Sequence, residues 1–256
     1  MNELALFAGA GGGLLAASQL GWRTRCAVEI DSYARKSLLA RQRDGVLERF
    51  PIWDDITTFD GSQWKGSIDI ISGGFPCQDI SSEGKRAGIE GEKSGLWKHM
   101  ARIVGQVRPD FVWVENSPML VVRGLGTVIG DLSAMGYDCR WCIVGAHHAG
   151  ANHLRNRIWI LAYTNSSQFK RRRLSSGGEK RNFEPIFRRW WQTEPNVGRV
   201  VDGVADGVDK SRSNALPGGD KVEAIVPNRA KRLKAIGNGQ VPAAMMIAWK
   251  TLTKDL

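Results

Sequence analysis

Apolar residues recur along the first 164 positions in short runs broken by glycine or charge. Leu4, Ala5, Leu6 and Phe7 form one run that ends in the cluster from Gly9 to Gly13. That pattern predicts a strand, a tight turn and a helix over residues 14–20, stopped by Gly21. Residues 24–30 form a second apolar run that closes on Glu29 and Asp31, and residues 32–42 have helical composition. A third strand is expected at 68–71 before Gly73 and Gly74, a helix at 96–107, and a fourth strand at 111–114 that ends on Glu115 and Asn116. A helix at 128–135 and strands at 139–144 and 158–161 complete this stretch. Alternating strands and helices predict an α/β fold with a parallel sheet covered on both faces.

The pattern changes after Tyr163. Residues 165–228 are rich in Ser, Gly, Arg, Lys and Asp, and their hydrophobic periodicity is poor. Within them Lys170, Arg171, Arg172 and Arg173, then Lys180 and Arg181, then Arg188, Arg189, Trp190 and Trp191 mix cationic and aromatic side chains. That mixture suits phosphate contacts and base stacking, and it suits a solvated linker as well. Order returns over 232–249, where Gly237 and Asn238 turn the chain into an apolar helix. The expected organisation is a body at 1–164, a variable region at 165–228 and a returning segment at 229–256.

Charge narrows the function classes. The 256 residues hold 36 Lys and Arg against 26 Asp and Glu, a formal net charge of +10. Such an excess favours polyanionic partners, nucleic acid first among them. The four cysteines, Cys26, Cys77, Cys139 and Cys142, form no disulfide framework, so a reducing, cytoplasmic setting is expected. No segment reaches the ~20 apolar residues that span a membrane. The apolar stretch at 4–20 follows Glu3 and is interrupted by glycines, unlike a signal peptide.

Reactive groups fall just after strands, at Glu29, Asp55, Cys77 and Glu115. In an open α/β sheet the carboxyl ends of the strands form the ligand crevice. Phe7, Gly9, Gly11 and Gly12 lie where a strand turns into a helix, so the backbone can approach a ligand and the helix N-terminus favours negative charge. Glu29, after the next strand, could accept hydrogen bonds from ribose hydroxyls. Pro76 stiffens the loop that presents Cys77, whose thiolate would be the reactive form. Glu115 ends a strand containing Trp113, where partial desolvation raises a carboxyl pKa and suits a general acid. Arg155 and Arg157 share a face by strand alternation and could hold a phosphate or a base edge. A zinc site built on Cys139, Cys142 and the nearby histidines is not expected, because there is no second Cys pair and 139–144 reads as strand. Gly91 to Ser94 lacks the Gly-Lys-Ser/Thr ending of a phosphate loop.

In order and spacing, these motifs resemble the C5-cytosine-specific DNA methyltransferase family, in its compact phage or bacterial type. The order is glycine turn, acidic strand end, Pro-Cys loop, Glu115 with Asn116, Arg155 with Arg157, then Gly237 and Asn238 before Val241 and Pro242. The resemblance covers residues 3–250 apart from the basic middle stretch. It implies a Rossmann-like, S-adenosyl-L-methionine-dependent methyltransferase fold with a mostly parallel sheet and a short target-recognition region at 165–228. Phe7, Gly9, Gly11, Gly12, Glu29, Ile30, Asp55, Ile56, Leu96 and Asn238 would then hold the cofactor. Cys77 would be the nucleophile and Glu115 the acid at the cytosine ring, with Arg155 and Arg157 on the substrate side and no metal. The implied partner is double-stranded DNA with a flipped cytosine. A monomer would suffice, and a cognate restriction endonuclease could act on the same sequence. Departures from the family pattern stand at Ser117, at His153 and at the pair Gly239 and Gln240. Three other readings are an RNA (tRNA) cytosine methyltransferase, an inert DNA-binding relative and a nicotinamide-dependent oxidoreductase. Leu14 breaks the glycine spacing the last would need, and the intact Cys77, Glu115 and Arg157 speak against inertness.

Overall fold

The computed structural model describes residues 1–76, 94–164, 229–237 and 239–256. Among the described residues seven strands form one sheet: β1 (Asn2–Leu6), β2 (Arg23–Val28), β3 (Ile52–Trp53), β4 (Ile70–Gly73), β5 (Phe111–Asn116), β6 (Asp138–Val144) and β7 (Arg157–Tyr163), in the spatial order β3-β2-β1-β4-β5-β7-β6. The five strands from β3 to β5 pair in parallel, and β7 runs antiparallel to both β5 and β6. The expected α/β architecture with a mostly parallel sheet is present; the antiparallel pairings are confined to β7, and a short helix at Leu120–Arg123 was not anticipated.

Strand alternation sorts the side chains into two cores. On one face Leu4, Leu6, Ile71, Val112, Val114, Ile158 and Ile160 pack under α3 (Trp97–Val107) and α5 (Leu125–Ala134), with the short α4 (Leu120–Arg123) leading into α5. The α3 helix buries Trp97, Met100, Ile103, Val104 and Val107, an i, i+3, i+6, i+7, i+10 stripe. Fully burying one such side chain contributes ~1.5–3 kcal/mol. Arg108, in the left-handed region at φ 55°, ends the helix, and the Trp97 indole donates to Asp131 on α5 at 2.7 Å.

On the opposite face Ala5, Ile70, Phe111, Trp113, Trp159 and Leu161 meet α1 (Gly12–Gln19), α2 (Ser32–Arg43) and α7 (Pro242–Thr253). A further helix, α6 (Arg229–Gly237), precedes α7. Glu3 lies on this face with no solvent exposure and accepts hydrogen bonds from Ser72 Oγ (2.6 Å) and Thr24 Oγ1 (2.7 Å). Burial pushes its carboxyl up to about 7 against the pull of those two hydroxyls. Among the described residues, no helix is long and apolar enough to cross a membrane.

Candidate active site

The glycine turn sits at the end of β1. Phe7, Gly9 and Gly11 all have positive φ (54°, 55° and 95°), and α1 begins at Gly12. A Cβ at Gly11 would stand 2.8 Å from the Leu38 side chain of α2. Glycine is therefore required there both by conformation and by close packing. Glu29, just past β2 and 8% exposed, reaches back to this turn: Gly9 N–H donates to one carboxylate oxygen and Asp31 N–H to the other, each at 2.7 Å. Each oxygen keeps a lone pair for a further donor. Arg35 ties the same bend by donating to the carbonyls of Glu29 and Ile30, which leaves the Ile30 side chain 73% exposed at the rim.

Asp55 follows β3, as the crevice argument requires. Its Oδ1 accepts from both the backbone and the hydroxyl of Thr57 at 2.8 Å, and these bonds hold its carboxyl below the usual range. Ile56 has its side chain buried in the core under α3, and its carbonyl accepts from Arg102 at 2.8 Å. Leu96 caps the start of α3 and packs on the same core. Cys77 and Asn238 lie outside the described residues, as does the whole variable region.

The strands that carry the Pro-Cys, Glu-Asn and Arg-x-Arg motifs converge in register. Gly73 of β4 pairs with Val114 of β5, and Glu115 pairs with Trp159 of β7. Asn116 then turns to the α3 face and donates its side-chain amide to the Phe75 carbonyl at 3.1 Å. Phe75 is itself buried against Trp97, with ring centroids 5.5 Å apart. This fixes the backbone two residues before Cys77 to the strand end that carries Glu115. A Cβ at Gly74 would lie 2.6 Å from Glu115 Oε2, so the loop can pass only because that residue is glycine.

Glu115 has the same strand parity as Trp113 and points to the α7 face. It is 9% exposed and pairs with Arg157 Nε at 2.7 Å. Burial raises its pKa, and Arg157, Arg155 and Gln240 act in the opposite direction. Arg155 lies before β7 with φ 33°, so the strand alternation expected to set its direction does not reach it. Its guanidinium donates to the carbonyls of Gly237 (2.6 Å) and Gly239, drawing the segment that returns into α7 against the site. Lys234 of α6 adds a second tie, to Asp31 at 2.8 Å.

A small cavity, about 30 Å³, lies between the glycine turn, Ser72 to Gly74, Glu115, Gly239 and Gln240. Glycine turn, acidic strand end, the segment from Gly74 to Pro76, Glu115 and the paired arginines thus meet at one end of the sheet. Residues 1–216 match the C-5 cytosine-specific DNA methylase family. The chain belongs to that family. Among its relatives are the type II methyltransferase M.CviJI of Paramecium bursaria Chlorella virus IL3A, 36% identical over 53% of this chain and 36% of the relative, and M2.BsuMI of Bacillus subtilis, 32% identical over 63% of this chain and 42% of the relative. The chain therefore matches well under two thirds of the length of either. The solved S. pombe Dnmt2 methyltransferase superposes with a TM-score of 0.52 at 20% identity, covering 65% of this chain and 51% of that one, and shows the shared methyltransferase fold.

Two features of this site were not foreseen. Lys234, with its partner Asp31, carries no motif that marks it. Gln240 was visible only as a departure from the family pattern, and its contacts explain what that departure does. Cys139 and Cys142 go to opposite faces of β6, one packed on each core, and burial pushes both thiols up to about 11. That geometry does not suit a shared metal.

Proposed function

We propose that this protein transfers a methyl group from S-adenosyl-L-methionine to carbon 5 of a cytosine flipped out of duplex DNA, with Cys77 as the covalent nucleophile. The observation that carries this reading is the junction of Glu115, Arg157, Asn116 and Phe75. It brings an acid, a cation and the anchored base of the Pro-Cys loop to one strand end beside the glycine turn. The residues fit the cofactor. Glu29 has acceptor capacity for ribose hydroxyls, the turn at Phe7, Gly9, Gly11 and Gly12 exposes backbone, and Ile30 offers an apolar face at the rim. Asp55 and the backbone of Ile56 would meet the adenine edge, and Leu96 and Asn238 would complete the pocket. When bound, the cofactor supplies an electrophilic sulfonium methyl group.

Carbon 5 of cytosine is a poor nucleophile. The Cys77 thiolate adds to carbon 6, and the electron pair of the 5,6 double bond moves into the ring. Glu115 shares or donates a proton at ring nitrogen 3, which makes carbon 5 enamine-like and able to take the methyl group. Loss of the carbon 5 proton then re-forms the double bond as Cys77 leaves. One hard substitution becomes two easier steps. Arg157 keeps the Glu115 carboxyl in position, and burial keeps its proton affinity high enough for the task. The target atoms are stacked inside a duplex, so the base must be extruded first. The net charge of +10 favours the duplex approach.

In this reading residues 1–164 form the catalytic body, 165–228 read the target sequence, and 229–256 return to close the site. The protein acts as a monomer in the cytoplasm of a bacterial or phage-infected cell, and a restriction endonuclease of the same specificity is a natural companion. Nucleoside mass spectrometry tests the reading on DNA and tRNA from a host without cytosine methylation that expresses the wild type or Cys77→Ala. It predicts 5-methylcytosine in DNA with the wild type alone. Unmodified DNA from a folded, well-expressed wild type would overturn it, and methylated tRNA in that case would move the substrate to RNA.

A further inference from the structure

We infer that Gln240 is a positioning residue for the Glu115 carboxyl. Its side-chain amide fills the gap between the glycine turn and β4 and fixes the orientation of the acid. The inference rests on Glu115 having the role proposed above. Gln240 stands one residue after Gly239, whose carbonyl Arg155 holds. Its backbone lies so close to Gly12 that any Cβ there would strike the Gln240 carbonyl oxygen, and a Cβ at Gly13 would strike its Oε1. The other end of the amide, Nε2, lies 3.3 Å from the Cβ position of Gly74, which itself faces Glu115 Oε2 at 2.6 Å. Nε2 and Glu115 Oε2 thus meet around the same point, at the lining of one small cavity, and the amide favours the ionised form of the acid. Arg157 meanwhile occupies Oε1 at 2.7 Å.

Gly12, Gly13 and Gly74 thus leave the space that the Gln240 backbone and amide take up. The carboxyl is held at Oε1 by Arg157, and the Gln240 amide stands on the side of Oε2. Among the described residues, the charged groups facing Glu115 are Arg157 on β7 and Arg155 just before it. Gln240 is the neutral donor supplied by the returning segment, so a departure from the small residues usual in the family becomes a direct tie from that segment to the acid.

The test uses full-length protein with 13C-labelled glutamate side chains, and Glu115→Gln assigns the Glu115 signal. Removing a donor to the ionised form raises proton affinity, so Gln240→Ala should raise that of Glu115 by about three- to tenfold. Gln240→Glu, nearly isosteric, should raise it further because a like charge then faces the acid. The alkaline limb of the single-turnover methylation profile should move upward in parallel. A Gln240→Glu protein that melts like the wild type while Glu115 titrates unchanged would overturn the inference. The NMR titration reads Glu115 without turnover, so an inactive wild type would count against the functional reading and leave this result standing.

Discussion

Glu3→Gln removes a carboxyl group that is completely buried between Thr24 of β2 and Ser72 of β4. The folded-state pKa is about 7, against 4.5 for the unreacted group. A gap of roughly 2.5 pH units at ~1.4 kcal/mol per unit amounts to ~3 kcal/mol. Below pH 4.5 both folded and unfolded chains hold the proton, and the group costs nothing. As pH rises the unfolded chain ionises first, so folding loses stability until the folded group also titrates near 7. Most of the loss, ~2–3 kcal/mol, falls between pH 5 and 8. The amide cannot ionise, and its oxygen and NH2 can still pair with the hydroxyls of Ser72 and Thr24. The variant should therefore melt higher than wild type at pH 8 by ~5–10 °C and show little difference at pH 5. Thermal melts of both proteins at the two pH values give this as a difference of differences, which cancels every other titrating group. A gap in melting temperature that is the same at both pH values, or larger at pH 5, would refute the reasoning.

Three further outcomes follow from the same geometry. Gly12→Ala places a methyl group against the Gln240 carbonyl, and overpacking of ~1–3 kcal/mol should lower both the melting temperature and the calorimetric affinity for S-adenosylhomocysteine, the latter by tenfold or more. Arg155→Ala frees two carbonyls of the returning segment and should cost ~2–4 kcal/mol in urea melts, with Arg155→Lys recovering part of it because one ammonium cannot bridge both so well. Trp113 and Trp159 stack with centroids 5.5 Å apart, yet Trp159 Nε1 donates to the Val144 carbonyl while Trp113 Nε1 has no partner among the described residues. Trp159→Phe should therefore cost ~1–3 kcal/mol more than Trp113→Phe in the same melts, because only the former leaves a buried carbonyl unpaired.

The sequence made much of this site readable because its signals are local. A glycine cluster after an apolar run can scarcely be anything but a turn, and Phe7, Gly9 and Gly11 adopt the positive φ values that such a turn uses. The amphipathic stripe of α3 and the desolvated strand end at Glu115 were legible for the same reason. What stayed hidden depends on partners far along the chain. The continuous buried run of β7 reads the same in either direction, so its antiparallel pairing with β5 was not visible. β3 pairs over only two residues, too few to show a period. Arg155 carries the same motif as Arg157, but its partners lie 82 and 84 residues downstream, and only the fold separates a clamp on carbonyls from a guanidinium on the acid. Helix α5 begins at Leu125, ahead of the expected residue 128, because Gly124 rather than a polar cap starts it.

The central claim is that Cys77 bonds covalently to the cytosine ring while Glu115 assists. It is tested most directly by intact mass spectrometry on duplex DNA carrying 5-fluorocytosine at the methylated position. Fluorine at carbon 5 leaves no proton to lose, so elimination of Cys77 is blocked after methyl transfer. With S-adenosyl-L-methionine present, wild type should appear as protein plus DNA strand plus one methyl group, and Cys77→Ala should remain at its free mass. An active wild type that forms no adduct, or an adduct that survives in Cys77→Ala, would contradict the account.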